Sequence, residues 1–209
     1  VKFEEESADR GNRGAGGDVV PGGDNDVMSS TPDPVIEQTR DWLVRAVIGL
    51  NLCPFAKAVH VKQQIRYVVT DAATPEALAD VLRDELTLLR DADPAQIDTT
   101  LLIHPQVLAD FLDYNDFLDV ADDLVQDMDL DGVLQVASFH PDYQFADSEP
   151  EDIENYSNRS PYPTLHLLRE SSIDRAVEAF PEAEGIYETN METLRRLGHA
   201  GWRKLFEGA

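Results

Sequence analysis

One cysteine in 209 residues leaves no intramolecular disulfide to form. Cations are scarce: 17 Lys and Arg stand against 41 Asp and Glu, for a formal net charge of −24. Only four of the 17 are lysines. So few basic residues cannot assemble the positive surface that nucleic-acid phosphates or an anionic bilayer demand. Nucleic acid and membrane are therefore excluded as expected partners. Long apolar runs are missing too; none approaches the roughly 18 residues that suggest a membrane span. The start, VKFEEESADR, has no secretion-signal pattern. The chain also has no GxGxxG, Walker loop, HExxH, GxSxG or paired CxxC. These absences remove the familiar nucleotide and zinc-protease chemistries and leave a cytoplasmic protein as the expectation.

What is present is acid, spread along the chain rather than gathered in a tail. Asp110, Asp113, Asp116, Asp119, Asp122, Asp123, Asp127, Asp129 and Asp131 recur through one segment. A solvated acidic surface with few lysines suits a protein kept soluble in concentrated salt, where self-repulsion is screened. A halophilic source is expected.

Residues 1–32 carry Gly, Asp, Ser and Asn without hydrophobic period and read as a disordered acidic arm. Met28 is a candidate true start. Folded sequence begins at Asp33-Pro34, a cap followed by the residue suited to a first helical turn. Ile36, Thr39, Leu43, Ala46, Val47 and Leu50 share one face of that helix, which should fail near Gly49. Strands are expected at residues 63–70, 99–104, 133–140 and 164–169. Helices are expected from Thr74, from about Val107 with a bend near Tyr114, from a Ser172 cap, and from a Thr189/Glu192 capping box. The order α-β-α-β-α-β-β-α-α predicts a single α/β domain over residues 33–207, with a mixed sheet of about four strands flanked by helices. Strands two and three are expected as parallel neighbours. Strand four is free to return antiparallel, because no helix precedes it.

Chemistry-bearing residues precede proline at three places: Cys53-Pro54, His104-Pro105 and His140-Pro141. Chance placement at average proline usage gives about 0.3 such pairs. Proline pushes the residue before it into extended backbone. Both histidines close predicted strands, where open α/β sheets place ligands. With strands about 4.8 Å apart, the two imidazoles are within reach of a common atom. His166 lies inside strand four and reads as a sheet histidine, while His60 and His199 read as surface residues. The long polar loop 141–163 is of a length often functional. Its Asn155, Arg159 and Ser160, with Arg169 after strand four, are candidate binders of an anion.

Four strings carry a resemblance: GLNLCPFAKAV (49–59), TLLIHPQVLADFLDYNDFLD (100–119), QVASFHPDYQFAD (135–147) and ENYSNRSPYPTLHLLRE (154–170). Over about residues 35–206 the chain resembles the bacterial family DUF1415. The resemblance implies a small stand-alone protein and assigns no activity. Three readings then stand. In the first, a hydrolytic or group-transfer enzyme uses Cys53 as nucleophile, His104 or His140 as general base, and the arginines for an anionic substrate. In the second, Cys53, His104 and His140 form an N₂S set for a divalent metal such as zinc, with a fourth position open. In the third, loop 141–163 and its arginines clamp a small anion without catalysis, and the histidines only shape the clamp. Reaction, substrate and oligomeric state are not legible at this level.

Overall fold

The computed structural model describes residues 33–179 and 185–207. The N-terminal arm and Met28 lie outside the described residues. Helix α1 (Pro34–Trp42) is capped by Asp33, whose carboxylate accepts from Val35 N, and passes into a π-helical stretch at Leu43–Ile48. A short helix α2 (Ala56–Val61) leads to β1 (Ile65–Val69). Helix α3 (Pro75–Asp91), capped by Thr74, precedes β2 (Thr99–Ile103). Helix α4 (Phe111–Asp127), capped by Asp110, precedes β3 (Leu134–Phe139). The loop after β3 holds one 3₁₀ turn, Ile153–Ser157. Then come β4 (Thr164–Arg169), α5 (Glu170–Ala179) and α6 (Ile186–Lys204).

The domain is α/β with a four-stranded mixed sheet, as the element order predicts. The strand order is β1-β2-β4-β3. Strand β1 is parallel to β2, and β4 is antiparallel to both β2 and β3. The expected β2–β3 pairing is corrected here. With no helix between them, β3 and β4 form an antiparallel pair, and β4 takes the place beside β2. Strands β2 and β3 still point the same way and end at one edge. Their separation becomes about twice the 4.8 Å spacing of neighbours.

Alternation along the strands feeds two cores. Leu102, Leu134, Leu165 and Leu167 face α3 and α4, whose Leu78, Leu82, Leu86, Tyr114 and Phe117 complete that cluster. Ile65, Tyr67 and Phe139 face the other way, onto Trp42, Leu43, Ala46 and Val47. All five residues of β2 are buried, as expected of a strand covered on both faces.

Four local expectations change. Helix α4 starts at Asp110 rather than Val107 because residues 104–109 form a turn around Leu108, whose φ is 57°. Helix α4 continues through Tyr114 without the expected break. Ser172 does not cap; its hydroxyl donates to Asp98 Oδ1 at 2.7 Å, and α5 begins directly at Glu170. Thr189 falls inside α6, whose N-cap is Gly185, so the capping box does not form. Helix α6 is broken at Gly198, with φ 62° and ψ 172°, a conformation open essentially to glycine alone.

Candidate functional site

His104 and His140 emerge at the shared edge of β2 and β3, each 0 % exposed. Each bonds a different backbone carbonyl. Tyr114 of α4 receives both rings, with centroids at 5.7 Å from His104 and 5.0 Å from His140. The Tyr114 hydroxyl donates to Thr164 O at 2.9 Å, tying α4 to the start of β4. Both imidazoles serve the turn after β2. His104 Nδ1 lies 3.0 Å from Val107 O, and His140 Nε2 lies 3.2 Å from Leu108 O. A carbonyl only accepts, so these two nitrogens carry the protons. His140 Nδ1 in turn accepts from Asp142 N at 3.0 Å. Left-handed backbone at Leu108 costs about 1–2 kcal/mol, and the histidines hold the two carbonyls that this conformation turns inward. Burial pushes the His104 imidazole down to about 4, and His140 also below its ordinary value. Both are neutral near pH 7, and neither ring faces solvent. His104 Nε2 has no partner among the described residues.

Cys53 lies in the loop after the π-helical stretch and packs against the cluster of Trp42, Leu43, Ala46 and Val47, on the opposite side of the sheet from Tyr114. Burial raises its thiol pKa, although backbone contacts at Phe55 and Ala56 oppose this. The convergence of Cys53, His104 and His140 is therefore corrected. Among the described residues, no group of three His, Cys, Asp or Glu side chains is placed to hold a metal ion. The loop and π-helical stretch run along the face opposite α3 and α4, and so carry the sulfur away from the imidazoles.

Arg169 is likewise displaced from the expected pocket. Strand β4 runs antiparallel, so its last residue pairs with Leu134 at the start of β3, the edge opposite His140. Its Nη2 donates to Leu89 O, to Ala92 O at 2.8 Å and to Ile97 O at 3.2 Å. Arg169 thus donates to carbonyls at and beyond the C-terminus of α3, where its positive charge also favours the helix dipole. Asn155, 0 % exposed, staples the long loop to itself. Its Oδ1 accepts from Phe145 N and Ser148 Oγ, and its Nδ2 donates to Glu149 O. His166 meets the expectation of a satisfied sheet residue, with Nε2 2.8 Å from Thr99 Oγ1 and its pKa lowered by burial to about 4.

Arg159 and Ser160 do reach a cleft. It encloses about 400 Å³ and is lined by Trp42, Asp142, Tyr156, Arg159, Ser160, Trp202 and Phe206, with Pro141 and Pro161. The Arg159 guanidinium sits 4.7 Å from the centroid of Tyr156. Its Nε donates to Tyr143 O at 3.1 Å and its Nη2 to Pro150 O at 2.7 Å. Its Nη1 has no partner, and the side chain forms no salt bridge among the described residues. Ser160 donates to Tyr162 O at 2.6 Å and is 6 % exposed. The histidine edge supports this cleft indirectly. His140 N donates to Asn158 O, one residue before Arg159, and its Nδ1 fixes the turn at Asp142. The kink at Gly198 redirects the end of α6, where Trp202 meets Tyr156 at 5.1 Å and Phe206 at 5.9 Å.

The residues that sequence reasoning missed are aromatic. Trp42 and Phe206 drew no reading from the sequence, and Trp202 only one as a neighbour of the last helix's inner face. A usable signal existed: the chain has two tryptophans, and both line this cleft.

The fold and the cleft describe a single α/β domain with a small aromatic-walled cavity and one arginine held over it. The family model for DUF1415, a protein of unknown function, matches residues 34–204. The chain belongs to that family. No curated protein matches it, and no solved structure does.

Proposed function

We propose that this domain binds a small anionic molecule without catalysing its conversion, and that Arg159 is the anion-binding group. One observation carries the reading. In a chain of 41 acids, Arg159 has no carboxylate partner among the described residues, yet two backbone bonds and the Tyr156 ring fix it at a cleft. A guanidinium held this way loses little freedom on meeting a ligand, which favours affinity. Its Nη1, without a partner among the described residues, offers two N–H groups to a carboxylate or phosphate. The catalytic reading has less support. His104 and His140 are buried and bonded to backbone, and Cys53 belongs to the opposite packing cluster.

The test is isothermal calorimetry with acetate, benzoate and inorganic phosphate, on the full chain and on Arg159→Gln. Hydrogen bonds to a charged group contribute about 1.5–3 kcal/mol, so the variant should bind about ten- to a hundred-fold more weakly. Equal binding by a folded variant, or no binding of any probe to the parent, rejects the proposal.

A second feature supports a cytoplasmic protein of a salt-rich cell. Asp113, Asp116, Asp119, Asp122, Asp123 and Asp127 all lie exposed on α4. Circular dichroism against salt concentration tests this: structure should be lost in dilute buffer and retained in concentrated salt. A fold indifferent to salt rejects it.

A further inference from the structure

We infer that the ligand of this cleft is a small aromatic monoanion, a single flat ring carrying one acidic group. This rests on the reading of Arg159 as the anion-binding group. Three independent features of the cleft point to the ring and to the single charge.

The walls come first. Trp42, Tyr156, Trp202 and Phe206 all line the cleft. Trp42 meets Phe139 at 72°, Tyr156 meets Trp202 at 75°, and Trp202 meets Phe206 at 58°. None of these four rings lies in a parallel stack with another ring among the described residues. Trp42 is 2 % exposed and Tyr156 carries the Arg159 guanidinium, so Trp202 and Phe206 are the rings that offer offset stacking to a flat guest. The Trp42 indole Nε1, buried in that wall, also has no acceptor among the described residues.

Size and charge follow. A volume of about 400 Å³ sits near the low end of the roughly 300–1,000 Å³ range of ligand pockets, which suits one ring with short substituents. Asp142 lines the same cleft and forms no salt bridge among the described residues. Its carboxylate tolerates one negative charge at Arg159 and opposes a second nearby. A phosphate dianion or a dicarboxylate is therefore the wrong guest.

The kink is the third feature. Gly198 adopts a conformation that other residues avoid, in the middle of a helix that would otherwise continue. Beyond it lie His199, 5.3 Å from Tyr156, and then Trp202 and Phe206. This glycine-only kink thus sits where the aromatic wall is built.

Both tryptophans of the chain line the cleft, so intrinsic fluorescence reads its occupancy directly. Fluorescence and calorimetry are run with acetate, benzoate, cyclohexanecarboxylate and phthalate, in the salt that keeps the protein folded. Benzoate should bind about tenfold or more tightly than acetate, from the apolar area of its ring. It should exceed cyclohexanecarboxylate by about three- to tenfold, from stacking. Phthalate should bind more weakly than benzoate, and Asp142→Asn should narrow that gap. Trp202→Leu should narrow the benzoate-to-acetate ratio. Phe206→Leu should do the same and serves if the first variant fails to fold. Equal affinity for acetate and benzoate overturns the aromatic ligand and leaves the Arg159 reading standing. Silence with every probe overturns the Arg159 reading itself. Phthalate binding as tightly as benzoate overturns the single charge.

Discussion

Acid should unfold this protein in part through His104. The imidazole is 0 % exposed, and burial drives its pKa from an ordinary 6.5 to about 4. Between those values the unfolded chain takes up a proton at this position and the folded chain does not. The unfolded state binds more protons there, so stability rises with pH across the window. The contribution of His104 is complete above about pH 6.5 and is lost as the pH falls toward 4. The interval is worth about 3 kcal/mol, a large part of the roughly 5–15 kcal/mol that holds a typical domain together. His166 and His140 shift in the same direction, and carboxylates titrate over an overlapping range. Comparison with His104→Asn removes these shared terms. Asparagine keeps a donor for Val107 O and cannot titrate. Urea denaturation of both proteins at pH 7 and pH 4 gives the difference. The variant should start less stable, because its ring no longer packs on Tyr114, yet lose about 3 kcal/mol less on acidification. Identical losses in the two proteins would refute the burial argument.

Other outcomes follow from single residues. Gly49→Ala would drive a methyl into the carbonyl oxygen of Arg45, a backbone atom of the π-helical stretch, and should destabilise by about 1–3 kcal/mol in chemical denaturation. A neutral result would mean that the π-helical stretch relaxes without loss. Arg169→Leu leaves the carbonyls of Leu89, Ala92 and Ile97 without their donor. It should cost about 2–4 kcal/mol of stability while benzoate affinity stays unchanged; a loss of affinity in a folded variant would return Arg169 to the site. Native Cys53 should react with iodoacetamide at least about tenfold more slowly than in the denatured chain, because it is half-buried against an apolar cluster and its thiol pKa is raised. Rapid labelling at neutral pH would reopen the nucleophile reading.

Much of the fold is legible in the chain because local signals agree. Asp33-Pro34 and Thr74-Pro75 start helices where a cap and a first-turn proline coincide. The His-Pro pairs mark strand ends correctly: β2 stops at Ile103 and β3 at Phe139. What the pairs do not reveal is the direction of need. A histidine at a strand end serves a ligand or a backbone carbonyl with the same side chain. The Leu108 turn, which decides between them, carries no glycine to announce it. The position of Arg169 was recoverable in principle. An antiparallel β4 necessarily sends its end to the edge away from His104 and His140. Cys53 was not recoverable, since which face of the sheet α1 covers is a tertiary choice. The cleft was half legible: Arg159 and Ser160 stood out in a polar loop, whereas nothing local separates Trp42 and Phe206 from ordinary apolar core residues.

The most direct measurement is a crystal structure of the full chain soaked with benzoate. The carboxylate should lie about 2.7–3.2 Å from Arg159 Nη1, with the ring against Trp202 or Phe206. An empty cleft at saturating benzoate, or a carboxylate seated on a different arginine, would contradict it.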